Sequence, residues 1–146
     1  MKGLLNSMQA QLKEIGAKKI LEFGGGIGEF SIRCAKNELD ITYHDLDGPT
    51  KDYALWRFEK HSADVKIGSE TDLDKKWDLV NIMDVLEHIE NPRPIIEKLS
   101  KNAKYIFCNP TEVKYNVFYP QHISKVDLDG KFEHVKEYLY RSVNSS

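Results

Sequence analysis

The chain has 146 residues, with 21 Lys and Arg against 23 Asp and Glu and a formal net charge of −2. This length predicts one domain with one core, and 40% hydrophobic with 30% charged residues is an ordinary globular composition. The balance excludes the basic field a nucleic-acid partner needs. No run approaches the ~18 apolar residues of a membrane span, so no membrane partner is expected. No signal-peptide apolar region opens the chain, which predicts a cytoplasmic protein. Cys34 and Cys108 lack metal-ligand spacing and sit among apolar residues; buried free thiols are expected.

Leu4 to Ile15 forms an amphipathic pattern, with Leu4, Leu5, Met8, Leu12 and Ile15 on one face and Gly16 as the stop. This helix is expected to cap a sheet. Next comes Lys19-Lys-Ile-Leu-Glu-Phe-Gly-Gly-Gly-Ile-Gly-Glu-Phe-Ser-Ile-Arg-Cys-Ala35. Ile20, Leu21 and Phe23 form a short strand ending at Gly24. After Gly28 the period turns helical, with Phe30 and Cys34 four apart. A strand that turns sharply into a helix presents free N–H groups to a ligand, and glycines let the ligand come close.

Asp40 to His44 is the second strand, followed by Asp45-Leu46-Asp47 and a helix from Gly48-Pro49 to about His61. That helix carries Tyr53, Ala54, Trp56 and Phe58. Ala63 to Ile67 is the third strand, and the polar loop Gly68-Ser-Glu-Thr-Asp72 follows. Trp77 to Met83 is the fourth, running into Asp84-Val-Leu-Glu-His-Ile-Glu-Asn-Pro92. Asn91 and Pro92 are placed as N-cap and first residue of a helix carrying Ile95, Ile96 and Leu99. Lys104 to Asn109 is the fifth strand. Alternation of strand and helix at this spacing predicts right-handed βαβ units and a parallel sheet with helices on both faces.

The region after Pro110 has no clean period. Phe132 to Val143 is expected to form one long strand, added antiparallel at the sheet edge. An open edge of that kind can pair with a second copy of the chain.

Spacing separates two cofactor classes. The dinucleotide fingerprint needs a third glycine where this chain has Glu29. What fits is acid-x-G-x-G-x-G at Glu22, Gly24, Gly26 and Gly28, with Gly25 inside the turn. This pattern resembles the first motif of the class I methyltransferases that use S-adenosylmethionine (SAM). A second resemblance lies in Asp-Leu-Val, a short apolar run and then Asp84-Val-Leu-Glu87-His88, as in the ubiquinone/menaquinone-type methyltransferases and their small-molecule relatives. The likeness covers roughly residues 19 to 110.

The resemblance implies a Rossmann-like, doubly wound α/β fold, here with a shortened antiparallel C-terminal edge. The family usually ends in two antiparallel strands, and the chain looks too short for that pair. The domain would divide into a capping helix (1–18), a SAM-binding core (19–110) and a substrate-side loop with an edge strand (111–146). Glu22, Gly24, Gly25, Gly26 and Gly28 would hold the methionine end of SAM. Asp45, seventeen residues after Gly28, suits two vicinal ribose hydroxyls. Asp47 is its competitor, with a second role as N-cap before Pro49. Leu46, Ser69, Glu70, Met83 and Asp84 complete the expected cofactor site, with Asp72 an alternative in the polar loop.

The implied reaction is methyl transfer from SAM to a small-molecule acceptor, with S-adenosylhomocysteine (SAH) as product. Because the sulfonium is already a strong electrophile, alignment and one proton acceptor suffice. His88 and His122 are the candidates for that acceptor, and a histidine fixed by a buried hydrogen bond is the other reading of His88. Some relatives bind a divalent metal through an acid-x-x-Glu-His segment. Asp84, Glu87, His88 and His122 could do so, but Asp84 is one methylene shorter than the usual Glu, and no metal is assigned. Tyr115, Phe118 and Tyr119 would line or close an acceptor pocket. A SAM-binding module without catalysis is the alternative reading, and a nicotinamide-dependent oxidoreductase is disfavoured by the missing glycine.

Overall fold

β1, Lys19–Phe23, pairs in parallel with β2, Asp40–His44, from Lys19 opposite Asp40 to Phe23 opposite His44. The computed structural model describes residues 2–109, 128 and 130–144. Contacts divide the chain into two units, Met1–Asp72 and Leu73–Ser146.

In the first unit α1, Lys2–Ile15, buries Leu5, Met8 and Leu12, and stops at Gly16 with φ 69°. α2, Glu29–Lys36, buries Phe30, Ser31, Ile32 and Cys34. α1 is tied to it by Gln9 Nε2, which donates to Cys34 Sγ at 3.4 Å. α3, Pro49–Lys60, buries Ala54 and Phe58, while Tyr53 and Trp56 stack on each other and stay half-exposed. Ile32, Tyr43, Ala54 and Phe58 form a core cluster, with Ala63 and Val65 packed against it. Apolar burial of this kind stabilises by roughly 25 cal/mol per Å².

β3 is only Lys66–Ile67, paired in parallel with Thr42 and Tyr43. The predicted strand began at Ala63. Instead, Ala63 donates to Phe58 O and Val65 to Ala63 O, so these residues close a turn after α3. Their apolar side chains serve the core cluster rather than the sheet.

The second unit contains β4, Trp77–Asn81, parallel to β5, Ala103–Phe107, with α4, Arg93–Asn102, between them in sequence. β4 stops short of Met83 because Asn81 Oδ1 accepts from Met83 N at 3.2 Å and Asp84 takes φ 57°. α4 starts one residue later than predicted. Pro92 takes the N-cap position, and Asn91 Oδ1 accepts from Arg93 N at 3.4 Å.

The C-terminal expectation is corrected. β6, Phe132–Lys136, and β7, Leu139–Ser142, form an antiparallel hairpin, and β7 pairs antiparallel with β5. The two final strands judged too long for this chain are present. The chain reverses at Glu137 and Tyr138, with Glu137 at φ 50° and its carbonyl 2.8 Å from His134 Nε2. Neither turn residue is Gly, Pro or Asn, so the usual punctuation of a hairpin is missing.

Cys34 and Cys108 are both buried free thiols, as expected, and burial pushes each up to about 12. Among the described residues no helix is long and apolar enough to cross a membrane.

Candidate functional site

The glycine turn lies at the carboxyl end of β1 and is stitched to the end of β2. Gly24 N and Gly25 N both donate to His44 O, at 2.8 and 3.1 Å. Gly28 N closes on Gly25 O at 3.0 Å. The amides of these glycines were expected to be free donors. Instead they are already engaged, and what the glycines contribute is shape.

That shape explains the spacing. Gly24, Gly26 and Gly28 all have φ between 58° and 81°, a region that side chains with a Cβ rarely adopt. The intervening Gly25 is required for another reason. A Cβ there would lie 2.5 Å from the Tyr43 ring and 2.8 Å from Glu22 Cδ. On Gly26 an added Cβ meets none of the described residues within 4 Å, so among them this glycine faces open space.

Asp45 crosses to the turn from the end of β2. Its Oδ2 accepts from Gly26 N at 2.8 Å and its Oδ1 from Leu46 N at 2.7 Å. A carboxylate has about four acceptor sites, so roughly half remain for a ligand. Asp47 points elsewhere. It pairs with Lys51 at 2.9 Å, which holds its carboxyl below the usual range, and makes no cap bond to α3. Its expected capping role is thereby corrected: Gly48 occupies the N-cap position.

Glu22 is buried beneath the turn, 6% exposed. Ser31 Oγ, on the fully buried face of α2, donates to its Oε1 at 2.6 Å. Burial pushes the Glu22 carboxyl up to about 8, only partly offset by the hydroxyl and backbone amide of Ser31. Tyr43 completes the assembly, its hydroxyl donating to Gly26 O at 2.6 Å. Burial also pushes the Tyr43 phenol upward, so it stays protonated. From α3, Arg57 donates to Ile27 O at 2.8 Å and pairs with Glu29 at 2.5 Å.

Ser31, Tyr43 and Arg57 were missed from sequence. A signal existed for the first two. Ser31 stands among the buried positions of α2, and Tyr43 is the last inward residue of β2 before His44 and Asp45.

The other predicted cofactor residues of this unit are not gathered on the turn by any described contact. Leu46 is 72% exposed. Ser69 and Glu70 are exposed, and Ser69 Oγ bonds Thr71 Oγ1 at 2.7 Å. Asp72 is buried and its Oδ2 accepts from Ser69 N at 2.8 Å, holding its own loop.

In the second unit, Asp84 and Asn109 bind each other twice. Asp84 N donates to Asn109 Oδ1 at 2.9 Å, and Asn109 Nδ2 to Asp84 Oδ1 at 2.5 Å. Met83 is half-buried beside them in sequence. Glu87 is 2% exposed, with Oε1 3.8 Å from His88 Nε2. His88 itself is exposed. His122, Tyr115, Phe118 and Tyr119 lie outside the described residues. Among the described residues no group of three His, Cys, Asp or Glu side chains is placed to hold a metal ion.

With this geometry in place, the methyltransferase domain family model matches residues 4–130. The chain belongs to the methyltransferase domain family. The sheet and its helices match the Rossmann-like methyltransferase fold. No curated protein matches it in sequence.

Solved structures share the fold. A bifunctional kinase-methyltransferase, WbdD, in its monomeric form superposes with TM-score 0.75 at 16% identity over 97% of this chain and 41% of that one. The magnesium protoporphyrin IX methyltransferase of Synechocystis PCC 6803 with bound SAH gives 0.63 at 21% identity, covering 75% and 55%. A putative caffeoyl-CoA O-methyltransferase from Staphylococcus aureus gives 0.61 at 19% identity, covering 73% and 56%. The methyltransferase thus spans about half the length of these relatives. The likeness carries the predicted Rossmann-like architecture, mostly parallel with antiparallel C-terminal strands.

Proposed function

We infer that this methyltransferase binds SAM on the turn from Gly24 to Gly28 and transfers its methyl group to a small-molecule acceptor, releasing SAH. One observation carries the reading: an open, side-chain-free Gly26 lies against an acidic side chain, Asp45, that retains acceptor capacity. The donor set fits the cofactor. Asp45 offers oxygens to vicinal hydroxyls, and two acidic groups, Glu22 and Asp45, suit a ligand bearing positive charge. SAH bound in the Synechocystis relative supports the same cofactor class.

When bound, SAM supplies an electrophilic methyl group. The chain's own residues bind, orient and take up a proton. Gly25 allows Tyr43 and Glu22 to pack directly under the turn. Tyr43 and Asp45 fix the Gly26 peptide from its carbonyl and amide sides. Leu46, Ser69, Glu70, Met83 and Asp84 are assigned to the rest of the cofactor. His88 and His122 are the groups assigned to accept the acceptor's proton; the exposure of His88 supports that assignment.

We take the chain as one catalytic domain, as the extent of the family match supports, in a reducing cytoplasm, as its buried free thiols support. Nothing supports the expected dimer. β6, paired with β7, carries exposed Glu133 and Lys136, charges that guard a sheet edge.

Titration calorimetry with SAM and SAH tests the binding reading, followed by tritiated methyl transfer to a panel of metabolites bearing hydroxyl, amino and activated carbon acceptors. Binding with stoichiometry near one is expected. Absence of binding for both nucleosides would refute it.

A further inference from the structure

Glu22 is set apart from the other acidic groups of the chain by where it lies. It is 6% exposed, its carboxyl carbon lies 2.8 Å from where a Cβ on Gly25 would stand, and its hydrogen-bonding partner is Ser31. The groups facing it are Ser31 and Cys34 from α2, Tyr43 from β2 and Asp45 just beyond β2. The thiol and the phenol stay protonated, and the Asp45 carboxylate opposes a second negative charge. Among the described residues, no Lys, Arg or His is one of the groups acting on it. A buried carboxylate with only the Ser31 hydroxyl and amide as donors and a like charge beside it is costly to ionise.

We propose that Glu22 is protonated in the ligand-free turn and becomes a carboxylate when a cationic ligand settles there, so that Glu22 selects ligands by positive charge with Ser31 as its positioning residue. This rests on reading the turn as the SAM site. The proton leaves the Glu22 carboxyl for solvent as the ligand's cation arrives, so no net charge is buried. Ser31 donates to the carboxylate once it forms, which aims Oε1 and lowers the cost of ionisation. The ligand class is a nucleoside bearing an ammonium or sulfonium group. A neutral nucleoside would bind without moving the proton.

Proton release is measured by calorimetry in pairs of buffers with different ionisation enthalpies, from pH 6 to pH 9. The ligands are SAM, SAH and the neutral 5′-methylthioadenosine; the proteins are wild type, Glu22→Gln and Ser31→Ala. The α-amino groups of SAM and SAH titrate near neutrality themselves, so the difference between wild type and Glu22→Gln isolates Glu22. Wild type should release roughly one more proton per SAM than Glu22→Gln at pH 7, the difference fading toward pH 9. Its affinity relative to Glu22→Gln should climb by about tenfold per pH unit below pH 8. Ser31→Ala should move that window to higher pH, which a packing role for Ser31 would not do. Methylthioadenosine should show no difference. Release with both SAM and SAH points to the ammonium, and with SAM alone to the sulfonium. Equal proton release by wild type and Glu22→Gln, with SAM bound to both, overturns the proposal. Failure of wild type to bind SAM at any pH instead overturns the reading of the turn.

Discussion

Asp45 Oδ2 accepts the amide hydrogen of Gly26 at 2.8 Å, which joins the end of the second strand to the middle of the glycine turn. The same carboxylate that would meet a ribose therefore also shapes the backbone beneath it. Asp45→Ala should cost SAM about 1–3 kcal/mol, one to two decades in Kd. Asp45→Asn keeps one acceptor oxygen and should lose less. Calorimetry separates the two, and an unchanged Kd in Asp45→Ala would assign the ribose to another residue.

Neighbouring glycines should respond in opposite ways. Gly26→Val puts its branch into open space, where only the φ of 58° costs roughly 1–3 kcal/mol. The fold should survive and SAM binding should be lost. Gly25→Ala drives a methyl group into the Tyr43 ring and Glu22. It should destabilise the fold itself by about 1–3 kcal/mol. Urea unfolding beside SAM titration distinguishes a binding defect from a folding defect.

The buried Glu22 should make ligand-free stability fall with rising pH. Its folded-state value, about 8, lies above the ordinary 4.5. Between those values the native state holds more protons than the unfolded one. Stability contributed by the neutral form is therefore full below pH 4.5 and is lost as pH rises to about 8, by on the order of a few kcal/mol. Glu22→Gln should flatten this loss, and at pH 8 should melt higher than wild type. A parallel decline in both proteins would place the dependence elsewhere.

Asp84 occupies the left-handed region at φ 57°, held by two hydrogen bonds to Asn109. Asn109→Ala leaves the strained backbone without its clamp and should cost about 1 kcal/mol. Asp84→Gly removes strain along with the side-chain bond, two changes of opposite sign, and should melt within a few degrees of wild type. Equal loss in both variants would show that the backbone strain carries little energy.

Much of this fold was legible because its signals are local. The bounds of β2 are fully specified by the run from Asp40 to His44 between turn residues. The alternating glycines betrayed positive φ, a property only the backbone dictates. What escaped depends on partners distant in sequence. Ala63 and Val65 look like strand residues, yet the cluster around Tyr43 and Phe58 draws them into a turn. The hairpin at Glu137 has no turn residue to announce it. In the site, Glu22 and Asp45 were visible as acidic residues at strand ends. Their states were not, because a buried carboxyl on Ser31 and a carboxylate on Gly26 differ only in three-dimensional surroundings.

The central claim is that the turn from Gly24 to Gly28 is the SAM site, and titration of SAM into wild type and Gly26→Val tests it most directly. The expected result is saturable binding near one per chain for wild type and none for a folded Gly26→Val. Equal affinity in the two proteins would contradict the claim.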